Sequence, residues 1–175
     1  MLALITGGSA SGKSEYAENL AVKLGQGNLV YLATMICYDK ETEKRIERHR
    51  LMRKDKGFST VECPTCLKSV QIPPNSTVLL ECLSNLAANE RFDPAGCKNN
   101  VPDEIMKGIQ AVLCQCRHLV VVSNEVFSDG MVYDRETEEY LKDLGELNRR
   151  IGELADFAAE VVYSIPVIHK GENLE

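Results

Sequence analysis

Short apolar runs alternate with longer amphipathic stretches along this chain. Leu2 to Thr6, Leu29 to Ala33, Thr77 to Cys82 and His118 to Ser123 are nearly continuous apolar segments of strand length. Runs of that kind read as strands buried on both faces. Lys13 to Leu24 sets Tyr16, Ala17, Leu20, Ala21 and Leu24 at helical spacing, and Gly25 and Gly27 stop it. Asp39 to Lys56 is strongly charged and meets no glycine or proline until Gly57, so it predicts a helix. Leu83 to Asn100 begins helical and turns to loop at Asp93-Pro94-Ala95-Gly96. Pro102 to Cys116 predicts a helix with proline in its first turn. Arg135 to Ala158 predicts the longest helix, with Tyr140, Leu144, Leu147, Ile151, Leu154 and Ala158 along one stripe. Shorter strands are expected at Ser59 to Glu62, Glu160 to Ser164 and Val167 to Lys170. Cys63 to Pro74 reads as mixed helix and loop, and Phe127 to Asp134 as loop.

Strands alternating with helices predict an α/β fold, a mostly parallel sheet flanked by helices on both faces. Function then belongs at the carboxyl ends of the strands. A length of 175 residues suits a single domain spanning 1–175, and no repeat, linker or low-complexity stretch interrupts it. Apolar residues at 44% and charged residues at 26% are those of a soluble globular protein. The apolar runs fall far short of the ~20 residues that a membrane span needs. The first residues show neither a basic leader nor a cleavage site, so the expected location is cytoplasmic. A net charge of −6, an isoelectric point near 5.2 and few aromatic residues argue against a nucleic-acid partner.

Gly7-Gly8-Ser9-Ala10-Ser11-Gly12-Lys13-Ser14 matches G-x-x-x-x-G-K-[ST] and stands between a predicted strand and a predicted helix. Glycines let backbone N–H groups curl around phosphate oxygens, and the helix start adds free donors and partial positive charge. Lys13 suits the β- and γ-phosphates, and the Ser14 hydroxyl suits Mg²⁺. The motif implies a nucleoside triphosphate without fixing the reaction. A carboxylate at the end of a neighbouring strand is expected beside the metal. Glu81, after Val78-Leu79-Leu80, and Glu125, after Val120-Val121-Val122-Ser123-Asn124, are the candidates.

Lys44, Arg45, Arg48, Arg50, Arg53 and Lys54 make a basic stretch in an acidic chain, with His49 inside it. Arginines there suit triphosphate oxygens, and a histidine beside a triphosphate is a candidate nucleophile on phosphorus. A solvated helix face is the plainer reading of the same residues. Cys63-x-x-Cys66 with Cys114, Cys116 and His118 has the makings of a zinc site, but the second half lacks the usual spacing. The seven cysteines are therefore read as reduced thiols.

Taken together, these segments resemble the bifunctional adenosylcobinamide kinase / adenosylcobinamide-phosphate guanylyltransferase family. The match runs through the phosphate loop with Ala17-Glu18, Tyr31-Leu32-Ala33-Thr34, Arg45-Ile46-Glu47-Arg48-His49-Arg50, Thr60-Val61-Glu62 and Val78-Leu79-Leu80-Glu81-Cys82-Leu83. It continues through Val122-Ser123-Asn124-Glu125-Val126, Leu147-Asn148-Arg149-Arg150 and Ala159-Glu160-Val161. The resemblance implies a P-loop, RecA-like sheet, a homotrimer, a corrinoid substrate, Mg²⁺, and ATP and GTP as nucleotide substrates. It implies two reactions: phosphorylation of adenosylcobinamide, then transfer of GMP from GTP to the product through a guanylylated histidine, which aligns with His49. It implies nucleotide contacts at Gly7 to Ser14, at Ala33, Thr34 and Met35, at Arg50, Leu51, Met52 and Arg53, and at Glu62 and Glu81. The chain departs from the family at Phe127-Ser128-Asp129-Gly130-Met131-Val132-Tyr133, where the family carries an early glycine and a G-I-V-P run. Leu51-Met52 also makes a polar stretch of the family greasier. A kinase without the second transfer, and a nucleotide-sensing protein without small-molecule chemistry, are the alternatives.

Overall fold

In the computed structural model, residues 1–25, 27–37, 39–127 and 130–172 are described, with backbone only for Arg45, Arg48, His49 and Met52. The elements in chain order are β1 (Leu2–Thr6), α1 (Lys13–Leu24), β2 (Leu29–Ala33), α2 (Lys40–Arg53), β3 (Phe58–Glu62), β4 (Thr77–Glu81), α3 (Leu83–Phe92), α4 (Val101–Leu113), β5 (His118–Val122), α5 (Arg135–Leu154), β6 (Phe157–Val162) and β7 (Ile165–Lys170). The sheet order is β3-β2-β4-β5-β1-β6-β7. All neighbours are parallel except β6 and β7, which form an antiparallel hairpin.

The apolar runs alternate their side chains between two cores. Leu2, Leu4, Val30, Leu32, Val78, Leu80, Leu119 and Val121 face α3, α4 and α5. Ala3, Ile5, Tyr31, Leu79, Val120 and Val122 face α1 through Ala17, Leu20 and Ala21. Both faces of the central strands are thus covered, which is why their sequences are continuous rather than alternating. The register sets Glu62 beside Ala33, Ala33 beside Glu81, and Glu81 beside Val122 at the carboxyl edge of the sheet.

The helix predicted to reach Ala158 ends at Leu154, and the last parallel strand starts at Phe157 rather than Glu160. Asp156 causes the break by bonding twice to Leu2. Its N–H donates to the Leu2 carbonyl and its carboxylate accepts the Leu2 N–H, each at 2.8 Å. That capture draws the chain alongside β1, and the burial period changes from helical to two: Phe157, Ala159 and Val161 are buried. Leu154, placed on the helical stripe, is 54% exposed.

Removing Phe157 from this core is expected to cost about 3–5 kcal/mol as Phe157→Ala. Leu154→Ala is expected to change stability by less than about 0.5 kcal/mol. Urea unfolding of both variants measures the difference, and equal losses would contradict this helix end.

Candidate active site

The phosphate loop lies between β1 and α1, closed from the side by the β6–β7 hairpin. The Ser164 N–H donates to the Ser11 carbonyl at 2.8 Å. A Cβ at Gly7 would stand 2.6 Å from the Val161 carbonyl oxygen, and one at Gly12 would stand 2.6 Å from Ser164 Oγ. Gly12 also takes φ +92°, where an L side chain is strained. It occupies the N-cap of α1, and no side chain caps the helix there. The first-turn N–H groups are therefore left to serve an anion. Lys13 is 9% exposed, and its Nζ donates across the loop to the Gly8 carbonyl at 2.9 Å.

Glu81, at the end of β4, gathers the neighbouring elements. Ser14 Oγ donates to its Oε1 at 2.5 Å, and the Tyr31 hydroxyl donates to its Oε2 at 3.2 Å. Burial, with the Glu81 charge beside it, raises the pKa of the Tyr31 hydroxyl well above the ordinary tyrosine value, so it stays a donor. The Arg53 guanidinium lies 3.3 Å from the centroid of the Tyr31 ring, a cation–π contact. Arg53 is buried, and its Nη1 finds no hydrogen-bond acceptor among the described residues.

Just beyond α2, Lys56 Nζ donates to Glu18 Oε2 at 2.8 Å and to Asn19 Oδ1 at 3.1 Å. This fastens the end of α2 to α1. Burial raises the pKa of the fully buried Glu18 carboxyl, and Lys56 opposes the rise only in part.

A cleft opens where α2 passes the edge of the sheet; Tyr31, Ala33, Met35, Ile46, Arg50, Arg53, Thr60, Glu62 and Glu81 line it. Six of the residues expected from the sequence therefore stand together: Ala33, Met35, Arg50, Arg53, Glu62 and Glu81. Thr34 is buried behind them, accepting the Cys82 N–H at 2.7 Å and donating to the Cys82 carbonyl at 2.9 Å. It props up the strand end. Leu51 is 64% exposed and does not line the cleft. The side chains of His49 and Met52 lie outside the described residues. By helical spacing, position 49 shares a face with 46 and 53. Glu125 sits by the start of the phosphate loop, its N–H donating to the Gly7 carbonyl at 3.0 Å and its carboxylate accepting the Phe127 N–H at 3.1 Å.

Sequence reasoning misses Tyr31, Ile46 and Thr60 as lining residues. Tyr31 sits inside an apolar run and reads as core, and Ile46 and Thr60 carry no signal beyond the resemblance segments that contain them. The Ser14 hydroxyl and the Glu81 carboxylate are hard oxygen donors converging at the start of α1, a set that suits Mg²⁺. The cysteine and histidine sets of the sequence do not converge: among the described residues no group of three or more His, Cys, Asp or Glu is placed to hold a metal.

The model of the family described as cobinamide kinase / cobinamide phosphate guanyltransferase matches residues 3–168. The chain is 34% identical to the bifunctional adenosylcobalamin biosynthesis protein CobU of Escherichia coli, covering 95% of this chain and 98% of that protein. It is 31% identical to the protein of the same name from Salmonella typhimurium, with 95% and 98% covered. It is 28% identical to the bifunctional adenosylcobalamin biosynthesis protein CobP of Pseudomonas aeruginosa, with 98% of each covered. Among solved structures, an ATPase domain superposes with a TM-score of 0.55 at 11% identity, covering 97% of this chain and 76% of that one. This likeness is one of fold alone.

The raised pKa of Glu18 has a sign. A carboxyl that holds its proton more tightly in the folded chain contributes stability fully present below its ordinary value of 4.5. That contribution is lost as pH rises through the raised value. Thermal unfolding from pH 4 to 7 is therefore expected to show the wild type losing stability relative to Glu18→Gln as pH rises. A constant difference would contradict the burial of this charge.

Proposed function

The chain belongs to the cobinamide kinase / cobinamide phosphate guanyltransferase family, and on that premise we propose that one site at the carboxyl edge of its sheet performs both transfers. In the first, a nucleoside triphosphate phosphorylates the aminopropanol hydroxyl of adenosylcobinamide. In the second, GMP passes from GTP to the resulting phosphate through a guanylylated His49. The observation that carries this reading is a cleft lined by Arg50, Arg53 and Glu62, which Glu81 joins to the phosphate loop through Ser14.

In the kinase step the acceptor oxygen attacks the γ-phosphorus, and the bond from that phosphorus to the β-bridging oxygen breaks. Little covalent work falls to the protein, so positioning and charge dominate. Lys13 and the loop N–H groups hold the β- and γ-phosphates. Ser14, with Glu81 beside it, would hold Mg²⁺, which spreads the developing negative charge when bound. Tyr31 keeps the Glu81 carboxylate turned toward Ser14.

In the transferase step a neutral His49 nitrogen attacks the α-phosphorus and pyrophosphate leaves into the loop. A phosphate oxygen of adenosylcobinamide phosphate then displaces the histidine. Arg50 and Arg53 line the cleft where the α-phosphate must sit for that attack, and their guanidinium forks suit its equatorial oxygens. Glu62, exposed at the end of β3, offers a carboxylate to the N1–H and amino donors of guanine. Adenine presents no such donor pair, so a carboxylate at this position favours GTP in the second step.

The corrinoid belongs beside the segments 84–101 and 127–134. Phe127, Met131 and Val132 are 44%, 67% and 93% exposed there, an apolar surface in keeping with a macrocycle. Ser128 and Asp129, within the departure from the family pattern, lie outside the described residues. Trimeric assembly and a cytoplasmic location complete the proposal. No helix among the described residues is long and apolar enough to cross a membrane.

Incubation with α-labelled GTP, followed by a denaturing gel, is expected to leave label on the wild type and none on His49→Ala. With γ-labelled GTP and adenosylcobinamide, the same variant is expected to go on phosphorylating the corrinoid. Label persisting on His49→Ala would remove the histidine from the mechanism.

A further inference from the structure

Tyr163 and Ser164 form the two-residue turn between β6 and β7, where Val162 pairs with Ile165. Both take positive φ, 51° and 63°. Turns of this shape favour Asn-Gly or Gly-Gly, and a bulky aromatic residue in the left-handed region is an outlier with a conformational cost. Packing does not hold Tyr163 there, because it is 91% exposed. The turn itself is fixed. Ser164 donates its N–H to Ser11 and lies against Gly12, and Val161 lies against Gly7. An uncovered aromatic residue thus stands, in strained backbone, beside the phosphate loop. Strain of this kind concentrates at functional positions.

Its position is informative. In the order β4-β5-β1-β6-β7, the loop leaves β1, Glu81 lies on the β4 side and Tyr163 on the β6 side. The two transfers need opposite ends of a triphosphate. Guanylylation requires the α-phosphorus beside α2, with the nucleoside in the Glu62 cleft. Phosphorylation requires the γ-phosphoryl group at Ser14 and Glu81, which sends the α-phosphate and nucleoside away from β4 and across β1.

We propose that Tyr163 is the stacking platform for the nucleobase of the phosphoryl donor, a nucleoside triphosphate bound in this second orientation on the same loop. The inference rests on the two-transfer reading above. Every base has a π-face, so the platform takes adenine and guanine alike. Glu62, in contrast, selects guanine.

Steady-state phosphorylation of adenosylcobinamide by ATP tests the assignment. Tyr163→Ala is expected to raise KM for ATP about tenfold with kcat within about twofold, the size of one lost base–aromatic stack. Tyr163→Phe and Tyr163→Trp are expected to restore KM. The GTP concentration that half-saturates GMP labelling of the protein is expected to stay unchanged in Tyr163→Ala. An unchanged KM for ATP would overturn the proposal. So would an equal rise in the GTP requirement for labelling, which would mean a damaged loop.

A binding measurement separates this proposal from the reading beneath it. The chain has no tryptophan, so Tyr163→Trp carries a single reporter. Its fluorescence is expected to respond to ATP and not to inorganic triphosphate. A response to both, or to neither, would overturn the platform. A wild type that phosphorylates no corrinoid while the reporter still responds to ATP would overturn the functional reading and leave the platform standing.

Discussion

Glu81 is 7% exposed and brings a carboxylate into the edge of a sheet covered on both faces. A buried charge in such a place is costly unless both oxygens are bonded. Ser14 satisfies one and Tyr31 the other. The consequences reach every part of the site. Ser14 ties the carboxylate to the first turn of α1 and so to the phosphate loop. Tyr31 ties it to β2 and, through its ring, to Arg53 at the end of α2. Lys56 then binds the same end of α2 to Glu18 on α1. The helix that carries position 49 is thereby set at a defined distance from the loop that holds the phosphates.

That arrangement explains how a small acidic protein can work on polyphosphates twice. Its net charge is −6, yet the cationic groups Lys13, Arg50 and Arg53 converge on the loop and cleft. Two of them, Lys13 and Arg53, are largely withdrawn from water, where their attraction for phosphate is screened least. Positioning a triphosphate among fixed cations serves attack at either the α- or the γ-phosphorus. The reacting end is selected by which way the nucleoside lies.

Much of this is legible in the sequence because it is local or periodic. The phosphate loop is a contiguous motif, the buried strands are unbroken apolar runs, and Glu81 is found as a residue ending a strand, whereas Glu62 comes only with the family resemblance. What is not legible depends on distant pairs. Tyr31 lies in an apolar run, and only the fold shows its hydroxyl meeting Glu81, fifty positions away. Glu18 gives no sign in α1 that Lys56, beyond the next helix, will reach it. The end of α5 is misplaced in the sequence reading because Ala158 continues a helical stripe, and the break comes from Asp156 bonding to Leu2 at the opposite end of the chain. The closing of the β6–β7 hairpin on Gly7 and Gly12 is likewise a contact between chain segments about 150 residues apart.

If one site performs two successive transfers on one substrate, a single purified chain must yield both products in order. The most direct measurement supplies the purified chain with adenosylcobinamide, GTP and Mg²⁺ and follows the corrinoid by mass over time. The phosphorylated corrinoid is expected to rise first and then to be consumed as the GDP-linked product appears, with pyrophosphate released in step. Accumulation of phosphorylated corrinoid with no GDP-linked product, or an unchanged corrinoid while GTP is hydrolysed, would contradict it.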